Sequence, residues 1–477
     1  MATTGDPHTD LGYRGSVAKV EPYGIEHIPD SERHGKPFNQ FTTWTAANLT
    51  LSLLAVGFFP TVLGLSLRVS LLAALVGAGL GACMIGALAT MGQRLGVPQQ
   101  IQARGGLGFY GNFIPVAFVN VFAAVGWAGV NGVFAVQALQ QLVDVPFWLG
   151  GTALFLIIGA LAVWGYNLLH VVNRIATIIL VLLFFAITIL AMGKADWSYG
   201  ANPDAAYYMG TFGGFVTAAG YFFAWFLAWS PFASDFARYL PESTSVRKVF
   251  GWTTLGNFVP AAWLGCTGIL IANFAGNYGP VEAIEELAGG WGWLAMLTLV
   301  FACIPTNALT VYGGALSILT LRIPVPRHIG AAIITAIALV AGIVLHDNIY
   351  TLFYDFLLLS AYFIAPFVTV LVLDYWVGGR RDATRIGELF DPRRAVEWGF
   401  VAWIGGGLAS IPFWMWTRYT GPVAAANPTW GDWSYVAGAL VAAVLYLCLS
   451  RLPALSTLLG FNQRTADSAP EAEDAVA

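Results

Sequence analysis

Charge is what this chain has least of: 26 acidic and 22 basic side chains among 477 residues, about one residue in ten. An ordinary soluble domain carries roughly a quarter. With 57% of residues hydrophobic and a mean hydropathy of +0.69, the chain cannot cover itself with polar surface, which excludes a soluble globular class. Basic blocks are missing as well, so no nucleic-acid partner is expected. The four cysteines, Cys83, Cys266, Cys303 and Cys448, stand singly inside apolar runs, without CxxC or metal-ligand spacing. The six histidines are scattered over tails and loops, and no nucleophile, base and orienting acid can be assembled into an enzyme site. The segment Gly106-Leu-Gly108-Phe-Tyr-Gly111 matches GxGxxG but no strand precedes it, so it reads as a loop turn and not as a nucleotide site. An apolar core of a cleavable signal peptide is absent from residues 1–38.

What is present is a series of apolar runs of about 20 residues, the length that crosses a ~30 Å hydrocarbon layer as a helix. Twelve are expected: Phe41–Leu65, Val69–Met91, Asn112–Leu142, Phe147–Tyr166, Ile175–Met192, Gly213–Trp229, Val249–Phe274, Trp293–Leu321, Ile329–Leu345, Tyr350–Trp376, Trp398–Trp416 and Trp433–Leu449. The fold class is therefore all-α polytopic membrane protein, because strand-like alternation is missing and barrel strands would be half as long. With an N-terminus inside, alternation of twelve spans puts all but Arg68, Lys194 and Arg418 of the 22 basic residues on the inner side. That is the bias of the positive-inside rule, and it predicts a multi-pass protein of the cell membrane with both ends cytoplasmic. The composition of Arg464–Ala477 favours disorder.

Unwound backbone in a membrane is tolerated where it lines a cavity, so paired helix breaks point to a transport site. The first span runs TWTAANLTLSLLAVGFFP, with small and polar residues at its middle. The sixth runs GGFVTAAGYFFAWFLAWSPFASDFARYLP, with Trp229, Ser230 and Pro231 after its glycines. The two lie five spans apart, as inverted repeats of five would place them; Gly and Pro are also simply common in membrane helices. Ionisable residues are nearly absent from the spans. Asp355, about one turn into the tenth, is the main exception, either a proton relay or a hydrated end residue.

A cavity without fixed charge suits a neutral polar ligand. Trp127 and Asn131, at i and i+4 of the third span, put an indole and a two-sided amide on one helix face, either a cradle for a flat heterocycle or ordinary packing. In the eighth span Thr306, Asn307 and Thr310 follow Pro305. Proline frees a carbonyl, and carbonyls with hydroxyls are what a sodium ion needs, although threonine also bonds back to its own helix.

Taken together, WTAANLTLS, RGGLGFYG, VGWAGVN, WSPFASDFARYLP, IPTNALTVYGGALS and LLLSAYFIAPFVTVLVLDYW resemble the nucleobase:cation symporter family of purine/cytosine and allantoin-type permeases, over about residues 25 to 377. The resemblance implies a LeuT-like fold, with a ten-helix transport core over 39–377 and repeats at 41–192 and 213–376. The charge and apolar pattern itself places a polar cytoplasmic N-terminal tail over 1–38, a cytoplasmic loop with transmembrane helices 11 and 12 over 378–453, and a cytoplasmic tail over 454–477. It implies that the substrate ring lies between Trp127 and either Phe226 or Trp229, with Asn131, Asn307, Ser52 and Thr310 as further contacts. It also implies a sodium site from the carbonyls of Asn48 and Leu51 with Ala302, Pro305 and Thr306. This sequence departs from the sodium pattern at Pro305, where sodium-coupled members place a second hydroxyl, and some relatives use protons, so the coupling ion is Na⁺ or H⁺ and no other cofactor is expected. The expected activity is import of a purine or pyrimidine base, or a ring such as allantoin, by cation symport. The rivals are a LeuT-like symporter for another small solute, such as an amino acid, and a passive facilitator.

Overall fold

Backbone amides in hydrocarbon have no water to bond, so each long apolar run closes its hydrogen bonds internally as a helix. In the computed structural model, which describes residues 19–460 except Asn277 and Thr417, nine helices are long and apolar enough to cross a membrane: Leu67–Leu95, Phe113–Gln140, Phe147–Trp164, Tyr166–Lys194, Gly210–Phe232, Val246–Ala275, Pro280–Thr320, Arg327–Asn348 and Asp355–Trp376. A tenth crossing is the first span, split into half-helices Phe38–Asn48 and Leu51–Val62 that bend by 64°. Two shorter apolar helices, Trp398–Phe413 and Ser434–Leu449, lie where the last two of the twelve spans were expected. The strands described are a two-residue hairpin, Met415–Trp416 with Tyr419–Thr420.

Some boundaries differ from expectation for local reasons. The fourth and fifth spans are parted by Gly165 alone, at φ +94°, a backbone region that glycine enters without steric cost. The fifth helix therefore starts at Tyr166, nine residues before the apolar run. The sixth span stays helical to Trp229 and then unwinds through a short 3₁₀ turn, Ser230–Phe232, into turns up to Leu240. Its freed Pro231 carbonyl is taken by the Asn120 amide at 3.2 Å. Pro305, by contrast, sits inside the unbroken helix Gly292–Thr320.

The second half of the first span lies hard against the seventh. A Cβ on Gly57 would stand 2.6 Å from the Gly265 carbonyl, so the absent side chain is what lets the two backbones touch. Loops meet as alternation requires. Asn202, between spans five and six, donates to the Gly64 carbonyl at the far end of span one, and Phe147 stacks on His346 on that same side.

On the opposite side the N-terminal segment does not behave as the polar tail expected for residues 1–38. Residues 1–18 of that tail, and 461–477 of the C-terminal one, lie outside the described residues. From Glu21 onward the chain crosses under the bundle, the Glu21 and Ile28 amides donating to the Trp164 and Gly96 carbonyls. The Glu21 carboxylate is buried. One oxygen accepts from Arg238 Nη2 (2.9 Å), Tyr239 (2.7 Å) and Tyr312 (2.9 Å); the other accepts the Tyr166 amide (3.0 Å) and lies 3.7 Å from Arg327 Nε. Removing one partner of a buried ion pair leaves the others uncompensated, at about 3–5 kcal/mol. Glu21→Ala should therefore lower the melting temperature of the detergent-solubilised protein clearly, whereas an unchanged melting curve would show that the network carries no stability.

Candidate substrate and cation site

The break in the first span brings spans one, three, six, seven and eight together through two chains of side-chain amides. In the first, Asn307 donates Nδ2 to the Ala128 carbonyl (2.9 Å), Asn131 donates Nδ2 to Asn307 Oδ1 (3.0 Å), and the Ser52 hydroxyl donates to Asn131 Oδ1. A carbonyl can only accept, so Ala128 sets the direction of every amide above it. The Ser52 oxygen is left as an acceptor, and Asn131 keeps one N–H unspent. The second chain runs from the Thr253 carbonyl through Asn257 and Asn48 to the Trp225 indole.

Beside the chains lies a narrow pocket lined by Trp127, Asn131, Trp225, Ala228, Trp229, Phe232 and Thr310. The space open to the centre of a water molecule is about 10 Å³, room for one water, so a ring must part the walls to enter. Trp127 meets Trp225 edge to face, with ring centroids 5.2 Å apart, and Trp229 meets Trp44 likewise at 5.6 Å. The Trp127 Nε1 is buried without a hydrogen-bond partner. Thr310 spends its proton on the Thr306 carbonyl (3.0 Å) and offers the pocket an acceptor. Phe353 and Phe356 of the tenth span pack on Trp127 at 5.9 and 5.4 Å, closing the pocket towards the side on which Arg418 lies.

The sixth-span aromatic was ambiguous between Phe226 and Trp229. Trp229 lines the pocket, whereas Phe226 turns the other way and fills the space over Gly81. Trp225 was missed. Its spacing from Trp229, i and i+4, was the available signal. Ser52 and Asn307 stand one hydrogen bond behind the pocket, acting on it through Asn131.

Around Thr306 the structure gathers oxygens that include two carbonyls not named in the expectation. Its hydroxyl lies 3.4, 3.3 and 3.3 Å from the carbonyls of Ala46, Ala47 and Ala302. Of the expected first-span carbonyls, that of Asn48 accepts the Thr50 amide (3.0 Å), and Leu51 begins the second half-helix, beyond the break. Pro305 brings no side-chain oxygen. Asp355 is paired with Arg418 at 3.3 Å and does not line the pocket.

A family described as permeases for cytosine/purines, uracil, thiamine and allantoin matches residues 27–438. The chain belongs to this family. The permease is 28% identical to the putative purine-cytosine permease YxlA of Bacillus subtilis over 466 residues, 94% of this chain and 99% of that one. It is 27% identical to the purine-cytosine permease fcyB of Emericella nidulans, over 90% and 88% of the two chains, and 26% identical to the vitamin B6 transporter TPN1 of Saccharomyces cerevisiae, over 74% and 65%. In fold it matches Mhp1, a nucleobase-cation-symport-1 family transporter solved in a closed conformation with bromovinylhydantoin bound. That match has a TM-score of 0.71 at 18% identity, over 96% of this chain and 98% of that one. The permease is thus a transporter with the LeuT-like architecture and not an enzyme.

Within the permease the first amide chain should be needed for stability. Asn307→Leu strips Asn131 of its acceptor and the Ala128 carbonyl of its donor; unmade buried hydrogen bonds cost about 1–3 kcal/mol each. A fall in thermal stability is expected, and a variant as stable as the parent would show that the chain is not needed.

Proposed function

We propose that the permease imports a neutral, flat, hydrogen-bonding heterocycle, a nucleobase of the cytosine or purine type or a related ring such as allantoin, by cation symport. The observation that carries this reading is the pocket itself: three indoles around one amide, and no ionisable group among its lining residues. Indole faces bind rings of any identity, whereas the unspent Trp127 and Asn131 N–H groups and the Thr310 oxygen would read a ring's edge. In this proposal Trp127, Asn131, Trp225, Trp229 and Thr310 touch the ring, and Ser52 and Asn307 hold Asn131. The names of the relatives, purine-cytosine permeases and a vitamin B6 transporter, support a flat ring and leave its identity to experiment.

The coupling ion in this reading is Na⁺, held by Thr306 with the carbonyls of Ala46, Ala47 and Ala302. Oxygens about 3.3–3.4 Å apart are the edge length of an octahedron whose metal–oxygen bonds are ~2.4 Å, within the range of hard cations on oxygen ligands. No titratable group lines the pocket itself to carry a proton beside the ring. We assign the cytoplasmic side to the face that carries Glu21, Arg238 and Arg327, on the positive-inside rule. Alternating access then parts the Glu21 network on one face and the Phe353–Phe356 cover on the other.

Uptake of labelled cytosine, adenine, uracil and allantoin into proteoliposomes, with Na⁺ and pH gradients imposed separately, tests the whole reading. Concentrative uptake of one ring driven by Na⁺ is expected. Uptake driven by the pH gradient alone would replace Na⁺ by H⁺, and accumulation only of amino acids would overturn the nucleobase assignment. Trp127→Ala should abolish uptake at normal membrane abundance; undiminished uptake would remove the indole from the site.

A further inference from the structure

We infer that Asn48 is a positioning residue that ties the substrate pocket to the cation carbonyls, holding Trp225 in place from the break in the first span. This rests on the proposed reading of the pocket as a heterocycle site. Asn48 is fully buried and ends the first half-helix. Its amide has a fixed direction. The Thr253 carbonyl can only accept, so Asn257 gives it Nδ2 (2.8 Å) and turns Oδ1 toward Asn48. Asn48 answers with Nδ2, shared between Asn257 Oδ1 (3.0 Å) and the Trp44 carbonyl (2.8 Å). Its Oδ1 is thereby left for the Trp225 indole N–H, at 2.7 Å. An indole has one N–H in one direction, so this bond sets the tilt of the ring that meets Trp127 edge to face.

Asn48 follows directly on Ala46 and Ala47, whose carbonyls face Thr306. Any shift of the half-helix end that draws those carbonyls onto a cation carries Asn48 with it, and through Asn48 the Trp225 wall. The cation then favours one setting of the wall, and a ring that favours that setting must in turn favour the cation, because linkage is reciprocal. Leucine at 48 would match the asparagine in size and break all three bonds. Phenylalanine at 225 would keep a smaller aromatic ring in the wall and remove the N–H that Asn48 holds.

The test is equilibrium binding of labelled cytosine, adenine, uracil and allantoin to the purified full-length permease, in NaCl and in choline chloride at equal concentration. The parent should bind one ring more tightly in NaCl, by a factor in the ~5–150 range of coupled sites. In Asn48→Leu and in Trp225→Phe that factor should shrink to about twofold or less, and the double variant should lose no more than either single one, as expected of two residues acting through one bond. Protection of the base-free protein against thermal unfolding by NaCl should survive in Trp225→Phe, which leaves the carbonyls and Thr306 untouched. That variant alone decides the matter if Asn48→Leu does not fold. Additive losses, or a Trp225→Phe variant that keeps the parent's full salt factor, would overturn the inference. So would a parent that binds a ring equally in both salts, which leaves the nucleobase reading standing; a parent that binds none of the four rings removes both.

Discussion

A buried amide in a membrane protein has no water to fall back on, so its partner decides which way it points. The pocket depends on this constraint. Two backbone carbonyls, those of Ala128 and Thr253, each orient a chain of two asparagines, and the chains end on Ser52, behind the pocket, and on Trp225, in its wall. A soluble protein could let an asparagine flip against solvent; here a flip would set oxygen against oxygen in hydrocarbon surroundings. The donors and acceptors in the pocket's lining are therefore set from behind it, by groups that do not line it.

The broken first span is where the two chains and the carbonyls around Thr306 converge. Ser52 lies just after the break and belongs to the Asn131–Asn307 chain; Asn48 lies just before it and belongs to the Asn257–Trp225 chain. Spans three and eight hold one chain, spans six and seven the other, and the first span is shared. A bend of 64° at two residues leaves the half-helices able to follow different neighbours. The glycine contact that presses Leu51–Val62 onto span seven keeps that freedom small.

Much of this was legible in the sequence, for reasons that also explain what was not. Apolar length gives the spans, and the i, i+4 spacing of Trp127 and Asn131 gives a face. The small and polar residues around Asn48 and the Ser230-Pro231 pair mark the two breaks. Trp225 carried the same i, i+4 signal with Trp229 but sits among five aromatics in FFAWF and its neighbours, where composition does not say which side faces inward. The carbonyls of Ala46 and Ala47 leave no trace in side-chain identity, since every residue has one, and two residues' difference along a helix is more than half a turn. Glu21 was hidden for the opposite reason. In a stretch as polar as residues 19–37 a carboxylate looks solvated until its arginines, more than 200 residues away, are seen to meet it.

That separation also sets an order of assembly. Glu21 leaves the ribosome long before Arg238, Tyr312 or Arg327 exists, and it bonds the first two across 217 and 291 residues of chain. Its carboxylate must stay in water until the sixth, eighth and ninth spans are threaded, because before then there is nothing to balance its charge. A segment synthesised before its partners is thus among the last to take its place, and the strap beneath the bundle closes as a seal on a finished helix set.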